Sequence, residues 1–313
     1  MGDDAGALPA CPITGEPAAE RVERIPAKLL HDLWRYGARV EPEPLRRDAG
    51  SIGLYRSPCG LMFFHPAVAG SPAFYRGLYG RHRAHEGLGK RATTREDFRA
   101  GAALARPGDR VLDVGCGAGA FAALLPEGAR YQGLEPHGNP RASPPVLAET
   151  VEAHASRSPG AYDLACAFQV LEHAADPLGV AAAMVECLAP GGLLVLAVPL
   201  WPSPHTEIPN NLVNLPPHHL TWWNEGACRA LAARLGVEAL RVETLPAYPA
   251  QAVAHWTRRL CALRARPGRC VRAGWRWHAS AGLAYAAARL LAPVLGLPSG
   301  ARPIDILLVA RKP

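Results

Sequence analysis

The 313-residue chain is 49% hydrophobic and 7% aromatic, which is enough apolar material for a sizeable core and excludes a disordered chain. The net charge of +7 is concentrated after residue 255, where ten arginines and one lysine face a single acid. No run reaches the ~18–20 apolar residues of a membrane span, and the acidic N-terminus lacks the apolar core of a secretory leader. The eight cysteines form no close CxxC pair, so we predict a cytoplasmic protein with reduced thiols.

The first hundred residues predict short strands followed by two helices. Residues 1–70 are interrupted by proline and glycine, and the pieces GLYRS and GLMFFHP have the composition of strands. A helix is predicted over 72–80 and a second one over 94–105. Thr93, with Glu96 three residues later, has the spacing of a capping box at the start of the second helix.

From residue 109 onward apolar strands alternate with helices, which predicts an α/β fold whose parallel sheet is covered on both faces. Strands are predicted over 110–115, 131–136, near 149–153, over 162–168 and over 191–199, and helices from about 119 and over 177–188. A loop over 200–224 is followed by a helix over 224–236, a strand over 238–245, a helix over 279–292 and a terminal strand over 304–311. Because the last two strands come too late for simple alternation, we expect them to form an antiparallel edge pair.

The segment VLDVGCGAGAF (111–121) predicts a nucleotide-cofactor site. Gly115, Gly117 and Gly119 occupy a strand-to-helix turn, where backbone N–H groups can approach a ligand closely. Asp113 lies at the end of the strand before the turn. Glu135 ends the next strand 20 residues after Gly115, where doubly wound folds place an acid on ribose hydroxyls.

Four blocks in order, VLDVGCGAG, GLEP, YDLACAFQVLEHAADP and LAPGGLLVLAVP, resemble the class I S-adenosylmethionine-dependent methyltransferases. The resemblance covers roughly 109–245 and the terminal strand. It implies a Rossmann-like, doubly wound, mostly parallel sheet with an antiparallel C-terminal edge strand, and S-adenosylmethionine as the cofactor. We assign residues 1–92 to an N-terminal segment with lid helices and 93–313 to the methyltransferase domain, with a helical substrate-side insertion over 247–302.

The resemblance also implies the cofactor contacts. Asp113 and the glycines would hold the methionine part, Glu135 the ribose, Thr150 to Glu152 the adenine, and Phe168 with Gln169 the region of the sulfonium. The predicted cofactor residues are Tyr75, Asp113, Gly115, Cys116, Gly117, Glu135, Pro136, Thr150, Val151, Glu152, Phe168 and Gln169.

Methyl transfer from a sulfonium needs an aligned acceptor in a dry pocket and, for a hydroxyl, a base. The candidates follow strands four and five: Glu172 and His173, and then His218 and His219 in NLPPHHLTWW. In one interpretation His173 donates to a backbone carbonyl and Glu172 caps the next helix. In a second, His218 or His219 is the general base, with an ordinary pKa of ~6.5. We therefore assign His173, His218 and His219 as catalytic candidates.

A third interpretation places a divalent metal on Glu172, His173 and His218. Some related enzymes, the ubiquinone-pathway and small-RNA 2′-O-methyltransferases, bind a metal through an E-x-x-E-H run. Here Gln169 replaces the first glutamate of that run, and an amide is a poorer ligand. We therefore predict no metal.

The N-terminal pattern CPITGEP … YRSPCG resembles the zinc-ribbon lead-in of many bacterial methyltransferases. Only Cys11 and Cys59 remain, because Thr14 and Arg56 occupy the other two ligand positions, and two thiolates cannot close a zinc site. In that family the following helix covers the cofactor, which is why Tyr75 is included among its contacts.

These features predict a methyltransferase that acts on a small molecule, most simply at oxygen. The alternatives are N- or C-methylation, a metal-assisted RNA 2′-O-methyltransferase, and a cofactor-binding scaffold without turnover. The arginine- and tryptophan-rich stretch after residue 255 is either a solvated basic helix, a site for an acidic substrate, a dimer contact or a weak membrane-surface contact. No nucleic-acid partner is expected, and both a monomer and a homodimer remain open.

Overall fold

The computed structural model describes residues 7–82, 95–263, 269–272 and 274–313. Within these residues the strands are β1 (Glu20–Pro26), β2 (Ser51–Arg56), β3 (Met62–His65), β4 (Arg110–Val114), β5 (Arg130–Leu134), β6 (Val146–Leu147), β7 (Tyr162–Phe168), β8 (Leu188–Pro199), β9 (Thr221–Trp222), β10 (Glu238–Thr244) and β11 (Asp305–Arg311). The α-helices are α1 (Ala27–Asp32), α2 (Pro72–His82), α3 (Glu96–Ala102), α4 (Val151–Ala155), α5 (Pro177–Cys187), α6 (Glu225–Leu235), α7 (Ala252–Leu260) and α8 (Trp275–Leu295). Short 3₁₀ helices span Ala120–Leu124, Leu171–His173, Leu212–Asn214 and Pro249–Gln251, and a π-helix spans Leu33–Ala38.

Seven strands form the main sheet in the order β10-β11-β8-β7-β4-β5-β6. The pairs β4–β5, β4–β7, β5–β6 and β7–β8 are parallel, while β11 runs antiparallel to both β8 and β10. This confirms the predicted doubly wound α/β sheet and its antiparallel edge pair. The chain order reverses direction on either side of β4, and this is where such sheets open a crevice for ligands.

The central strands are apolar along their whole length because both faces of the sheet are covered. Leu112, Ala165 and Leu196 point to a core that includes α5 and α6. Their neighbours Val111, Leu164 and Val195 point to the opposite core, which includes Phe98 of α3. Alternate residues of one strand thus enter two cores, which is why the sequence shows a continuous apolar run rather than a period of two.

The N-terminal segment builds a second, four-stranded antiparallel sheet in the order β1-β2-β3-β9. Its fourth strand, β9, follows the histidine-containing loop, and Phe63 pairs there with Thr221. Trp34 is fully buried, and its indole Nε1 donates to the carbonyl oxygen of Pro216 at 2.8 Å. The N-terminal segment therefore holds the loop that carries the candidate histidines.

Several predicted boundaries are wrong. The third strand of the main sheet is β6 at Val146–Leu147, and the predicted strand near 149–153 is largely the helix α4. Thr150 caps that helix, because its Oγ1 accepts from the N–H of Ala153 at 3.4 Å. Thr93 lies outside the described residues, and α3 has Arg95 rather than Thr93 as its N-cap residue.

The segment before β11 forms an antiparallel pair of helices, α7 and α8. Trp256 Nε1 donates to the carbonyl oxygen of Gly296 at 2.8 Å, and Cys261 Sγ lies 3.5 Å from Ser280 Oγ. The predicted helix over 279–292 is longer in the structure, since α8 begins at Trp275. Among the described residues, none of the helices combines the length and apolar character required to cross a bilayer.

Candidate active site and cofactor site

The glycine turn after β4 adopts a backbone that other residues enter only under strain. Gly115, Gly117 and Gly119 have φ angles of 67°, 57° and 75°. A Cβ at Gly115 would lie 2.6 Å from Val170 Cγ2, so close packing also requires glycine there. A Cβ at Gly117 would meet no atom within 4 Å, so there is open space in front of the turn. The turn therefore leaves room for a ligand.

Glu135 is joined directly to this turn. Its Oε2 accepts a hydrogen bond from the backbone N–H of Gly117 at 3.1 Å. The carboxylate is only half-buried, which leaves acceptor positions for ribose hydroxyls. Pro136, directly after it, is exposed. The geometry agrees with the ribose role that the resemblance implies for Glu135.

Asp113 is buried beneath the turn. It is 2% exposed, and Tyr131 donates its hydroxyl to Oδ2 at 2.9 Å. Burial raises the pKa of Asp113 to about 7, although the hydrogen bond from Tyr131 opposes this. A ligand that brings a positive charge would favour the ionised form. Asp113 and Glu135 are thus two carboxyl groups beside the glycine turn, and this chemistry fits the amine and the diol of S-adenosylmethionine.

The remaining cofactor candidates differ in how far their side chains are exposed. Cys116 is half-buried, and burial raises the pKa of its thiol to about 12, so it is a neutral packing group. Val151 is 3% exposed within the core, while Glu152 points to solvent on the first turn of α4. Thr150 uses its side chain as a helix cap.

Phe168 is a buried aromatic residue. Its ring packs against Phe98 at 5.0 Å and Phe121 at 4.8 Å between ring centroids, and it is 6% exposed. The side chain therefore belongs to the core, and its placement near the sulfonium stays a prediction. The next residue, Gln169, has a φ of 61° and donates from Nε2 to Asp305 Oδ1 at 3.2 Å. A non-glycine residue in this region costs about 1 kcal/mol or more, which is typical of functional sites.

The three candidate histidines converge, as predicted from the two loops. The ring centroid of His173 lies 4.5 Å from that of His218 and 4.8 Å from that of His219. His173 donates from Nδ1 to the carbonyl oxygen of His218 at 2.7 Å, and His218 donates from Nδ1 to that of Val213 at 2.8 Å. These two bonds fix the tautomers: Nδ1 carries the proton in both rings, and Nε2 keeps a free lone pair. Cation binding and proton acceptance both use such a nitrogen.

The expectation of an ordinary histidine pKa is wrong, because burial lowers the pKa of all three rings. Burial lowers the pKa of His173 to about 4 and that of His218 to about 3, with the neighbouring ring adding to the effect at His218. The pKa of His219 lies well below its ordinary value for the same reasons. At neutral pH all three rings are uncharged. They are available as acceptors but are weaker bases than an exposed imidazole.

Glu172 does not cap a helix. The cap of α5 is Asp176, whose Oδ1 accepts from the N–H of Gly179 at 2.9 Å. Glu172 is fully buried, and neither carboxylate oxygen has a hydrogen-bond partner in the described part of the chain. Its Oε1 lies 3.8 Å from His173 Nε2 and 4.0 Å from His219 Nε2. Burial raises the pKa of Glu172 well above its usual range, so without a cation it is a neutral acid.

Among the described residues, His173, His218 and His219 are the one group of three or more candidate ligands close enough to hold a metal ion, with ligand atoms within 4.8 Å of one another. Glu172 adds a carboxylate beside them. The Nδ1–H bonds of His173 and His218 to carbonyl oxygens are the arrangement that metal-binding histidines generally have. Gln169, at the position of the missing glutamate, is instead bound to Asp305.

Two tyrosines of α2 cover this cluster. The hydroxyl oxygen of Tyr75 lies 3.4 Å from His173 Nδ1, and its ring centroid lies 6.0 Å from that of His218. Tyr79 stacks on Tyr75 at 5.9 Å. Burial raises the pKa of Tyr79 to about 12, and the nearby carboxyl groups of Glu135 and Glu172 add to the effect. Tyr75 therefore lies beside the catalytic candidates His173 and His218.

A buried polar group at the same edge of the sheet was missed by the sequence analysis. Asp305 begins β11 and accepts from Gln169 and, at 3.4 Å, from Gln251 Nε2. Burial raises its pKa to about 7, and Asp97 adds to the effect while Arg95 opposes it. Arg95 pairs with Asp97 in turn. These residues lie far apart in sequence, and an acid at the start of an apolar strand was their only signal.

Cys11 and Cys59 do meet in the N-terminal sheet. Cys59 donates from Sγ to Ser57 Oγ at 3.2 Å, and hydrogen bonds from Cys59 and Ser57 help to lower the pKa of Cys11 to about 5. In the described residues no third ligand side chain joins the two thiols. The ribbon-like nature of this segment stays a prediction.

The comparison with known families agrees with the site. Residues 82–242, more than half of the chain, match the family described as a methyltransferase domain, and the chain belongs to this family. The matched region, with its doubly wound sheet and acid-lined glycine turn, is a class I S-adenosylmethionine-dependent methyltransferase domain.

Individual relatives match shorter stretches of the chain than the family model does. The ubiquinone biosynthesis O-methyltransferase of Sodalis glossinidius is 40% identical over 97 residues, 27% of this chain and 39% of that protein. The corresponding enzyme of Vibrio cholerae is 38% identical over the same length. The match thus spans about two fifths of the length of these relatives.

The chain is also similar to solved structures of methyltransferases. A S-adenosylmethionine-dependent methyltransferase from Archaeoglobus fulgidus is 16% identical with a TM-score of 0.46, covering 76% of this chain and 100% of the other. The 1,6-didemethyltoxoflavin-N1-methyltransferase of Burkholderia thailandensis is also 16% identical with a TM-score of 0.46, covering 84% of this chain and 95% of its own.

Proposed function

We propose that the chain methylates a hydroxyl oxygen of a small molecule. The observation that carries this proposal is the set of three neutral, converging histidines beside Glu172 at the carboxyl edge of the sheet. An amine acceptor needs no base once it is neutral, whereas a hydroxyl must lose its proton as the new bond forms. The names of the O-methyltransferase relatives support the choice of oxygen.

Each residue has a role in this proposal. The cofactor supplies the activated methyl group. Asp113 and the glycine turn hold its amino-acid part, and Glu135 holds its ribose. The acceptor hydroxyl approaches Nε2 of His173 or His218, which takes the proton, while Tyr75 and the cis Pro216–Pro217 loop exclude water. Of the histidines, His173 has the most exposed side chain, at 21%, so it is the ring that an acceptor reaches first.

A metal-assisted reaction is a second candidate because of the unpartnered Glu172 carboxylate. A divalent cation beside the three histidines would satisfy both buried oxygens and would lower the pKa of an acceptor hydroxyl. Such a site would also serve a metal-assisted RNA 2′-O-methyltransferase. The two candidates differ in their dependence on metal and in their acceptor.

The test is a product-mass assay with the purified chain, S-adenosylmethionine and a panel of phenols, catechols, amines and short RNAs. A mass gain of one methyl group on a phenol or catechol, with none on the amines, supports the proposal. Methylation of amines alone would overturn it. Binding of S-adenosylhomocysteine by calorimetry without turnover on any acceptor would favour a scaffold. The proposal includes a small-molecule acceptor and a cytoplasmic location. It fits a monomer and a homodimer equally.

A further inference from the structure

The outward face of α8 is apolar although nothing in the described structure covers it. Trp275, Leu283, Leu290 and Val294 are 78%, 74%, 77% and 81% exposed. Leu283, Leu290 and Val294 are spaced by seven and four residues, so they form one stripe along the helix. The opposite face packs on the protein through Trp277, Ala284, Ala288 and Ala292. A helix that is apolar on both faces normally has a partner on each of them.

The charge around this stripe indicates what the partner is. No acidic residue lies between Glu243 and Asp305, whereas nine arginines do. Arg258 and Arg302 pair with Glu207, and Arg269 lies 3.8 Å from Glu23. Arg276 and Arg289 are exposed and form no ion pair with an acid in the described part of the chain. Arg276 lies seven residues before Leu283 and therefore at the end of the stripe.

We propose that the stripe Leu283–Leu290–Val294, together with Trp275, Arg276 and Arg289, docks the protein on an anionic lipid surface. Leucine and valine side chains enter the acyl boundary, the indole of Trp275 lies at the headgroup level, and the arginines meet lipid phosphates. Because the other face of α8 is packed on the protein, the helix lies along the membrane plane. A second copy of the chain fits less well, since it would bring like charges together.

The position of this surface relates it to the active site. Gln251, one residue before α7, donates to Asp305, and Asp305 also accepts from Gln169 beside the catalytic histidines. Trp256 of α7 then holds the C-terminal end of α8. The lipid-facing helix is thus attached to the same edge of the sheet as the site, which would place the substrate entrance near the bilayer.

The test is flotation of the full chain with vesicles of phosphatidylcholine, with and without about one third phosphatidylglycerol. We expect binding to the anionic vesicles, weakened by salt, and little binding to the neutral ones. The double variant Leu290→Asp/Val294→Asp and the double variant Arg276→Glu/Arg289→Glu should each lower the partition coefficient at least ~tenfold. Tyr36→Asp and Arg46→Glu, exposed residues of the N-terminal segment, are matched controls that should bind as the unaltered chain does.

Two further readouts separate the outcomes. Brominated lipid should quench part of the tryptophan fluorescence, and Trp275→Phe should remove that part. Calorimetry with S-adenosylhomocysteine should give unchanged affinity for every variant, which shows that they fold and keeps this test independent of the proposed reaction. The proposal would be overturned if the unaltered chain failed to bind anionic vesicles, or if the two double variants bound them as strongly as the unaltered chain does. So would a dimer in light scattering that Leu290→Asp/Val294→Asp converts to a monomer.

Discussion

His173 donates its Nδ1–H to the backbone carbonyl oxygen of His218 at 2.7 Å, which joins the loop after β7 to the loop before β9. The bond leaves His173 Nε2 facing Glu172 Oε1 at 3.8 Å, and His218 is held in turn by the carbonyl oxygen of Val213. It unites two of the interpretations that the sequence left open. His173 is a donor to a backbone carbonyl, and by that bond it becomes a well-oriented base or ligand.

The cofactor site predicts a loss of affinity on removal of its acids. Glu135→Ala and Asp113→Asn should each weaken binding of S-adenosylmethionine by roughly tenfold to a hundredfold, since each removes a charge-assisted hydrogen bond. Isothermal calorimetry measures this directly. Glu127→Ala, an exposed acid in the loop before β5, is the control and should leave affinity unchanged. Equal affinity of Glu135→Ala and the unaltered chain would remove the ribose assignment.

The histidine cluster predicts a separation of binding from turnover. His173→Ala and His218→Ala should keep cofactor affinity within about twofold and lower kcat by ~10²–10⁴, the usual contribution of a general base. Single-turnover kinetics on the accepted phenol provides the measurement. If both variants retain the unaltered rate, neither ring takes the proton.

Metal dependence distinguishes the two forms of the reaction. If the neutral histidines act alone, dialysis against a chelator leaves kcat unchanged and elemental analysis finds less than about 0.1 metal per chain. If Glu172 holds a cation, the chelated protein loses activity and regains it with Mg²⁺ or Zn²⁺, and Glu172→Gln abolishes the recovery. Thermal unfolding with and without metal gives an independent readout, since bound metal stabilises the folded state.

Burial of neutral His218 predicts a pH-dependent contribution to stability. The unfolded chain protonates this ring below about pH 6.5, while in the folded protein its pKa is lowered to about 3. The unfolded state therefore binds more protons in this window, and the contribution is lost as pH falls. The difference in unfolding free energy between the unaltered chain and His218→Gln should shrink by roughly 2 kcal/mol from pH 6.5 to 5. Asp113 and Asp305 have raised pKa values, so their contribution to stability grows as pH falls. Both acids are present in the unaltered chain and in His218→Gln, so their contributions cancel in the difference. A constant difference would mean an ordinary pKa for the ring.

From the hydrogen bond of Trp34 to Pro216 we predict that the N-terminal segment positions the histidine loop for catalysis. Trp34→Phe removes the donor to Pro216 and leaves a buried carbonyl unpaired, at a cost of about 1–3 kcal/mol in unfolding free energy. Because Pro216 precedes the two histidines, kcat should fall while cofactor affinity stays constant. Trp256→Phe, which removes a similar indole bond to Gly296, should lower stability and leave kcat unchanged. Equal effects of the two variants on kcat would refute a positioning role for Trp34.

The sequence by itself determined the α/β sheet and the glycine turn, and it predicted the two acids beside that turn. These features depend on local patterns: apolar runs that mark buried strands, glycines at positive φ, and an acid at a strand end at a set distance from the turn. Helix α4 was mistaken for a strand because the short VEAHA segment carries no periodicity strong enough to separate the two.

Only the tertiary structure decided the rest of the site. The pKa values of the histidines depend on burial by α2 and by the loop before β9, and Phe168 was drawn into the core by Phe98 and Phe121. Asp305 became a partner of Gln169 although 136 residues separate them, because the last strand returns antiparallel beside β8. Such contacts are properties of packed surfaces distant in sequence, and no local pattern of residues specifies them.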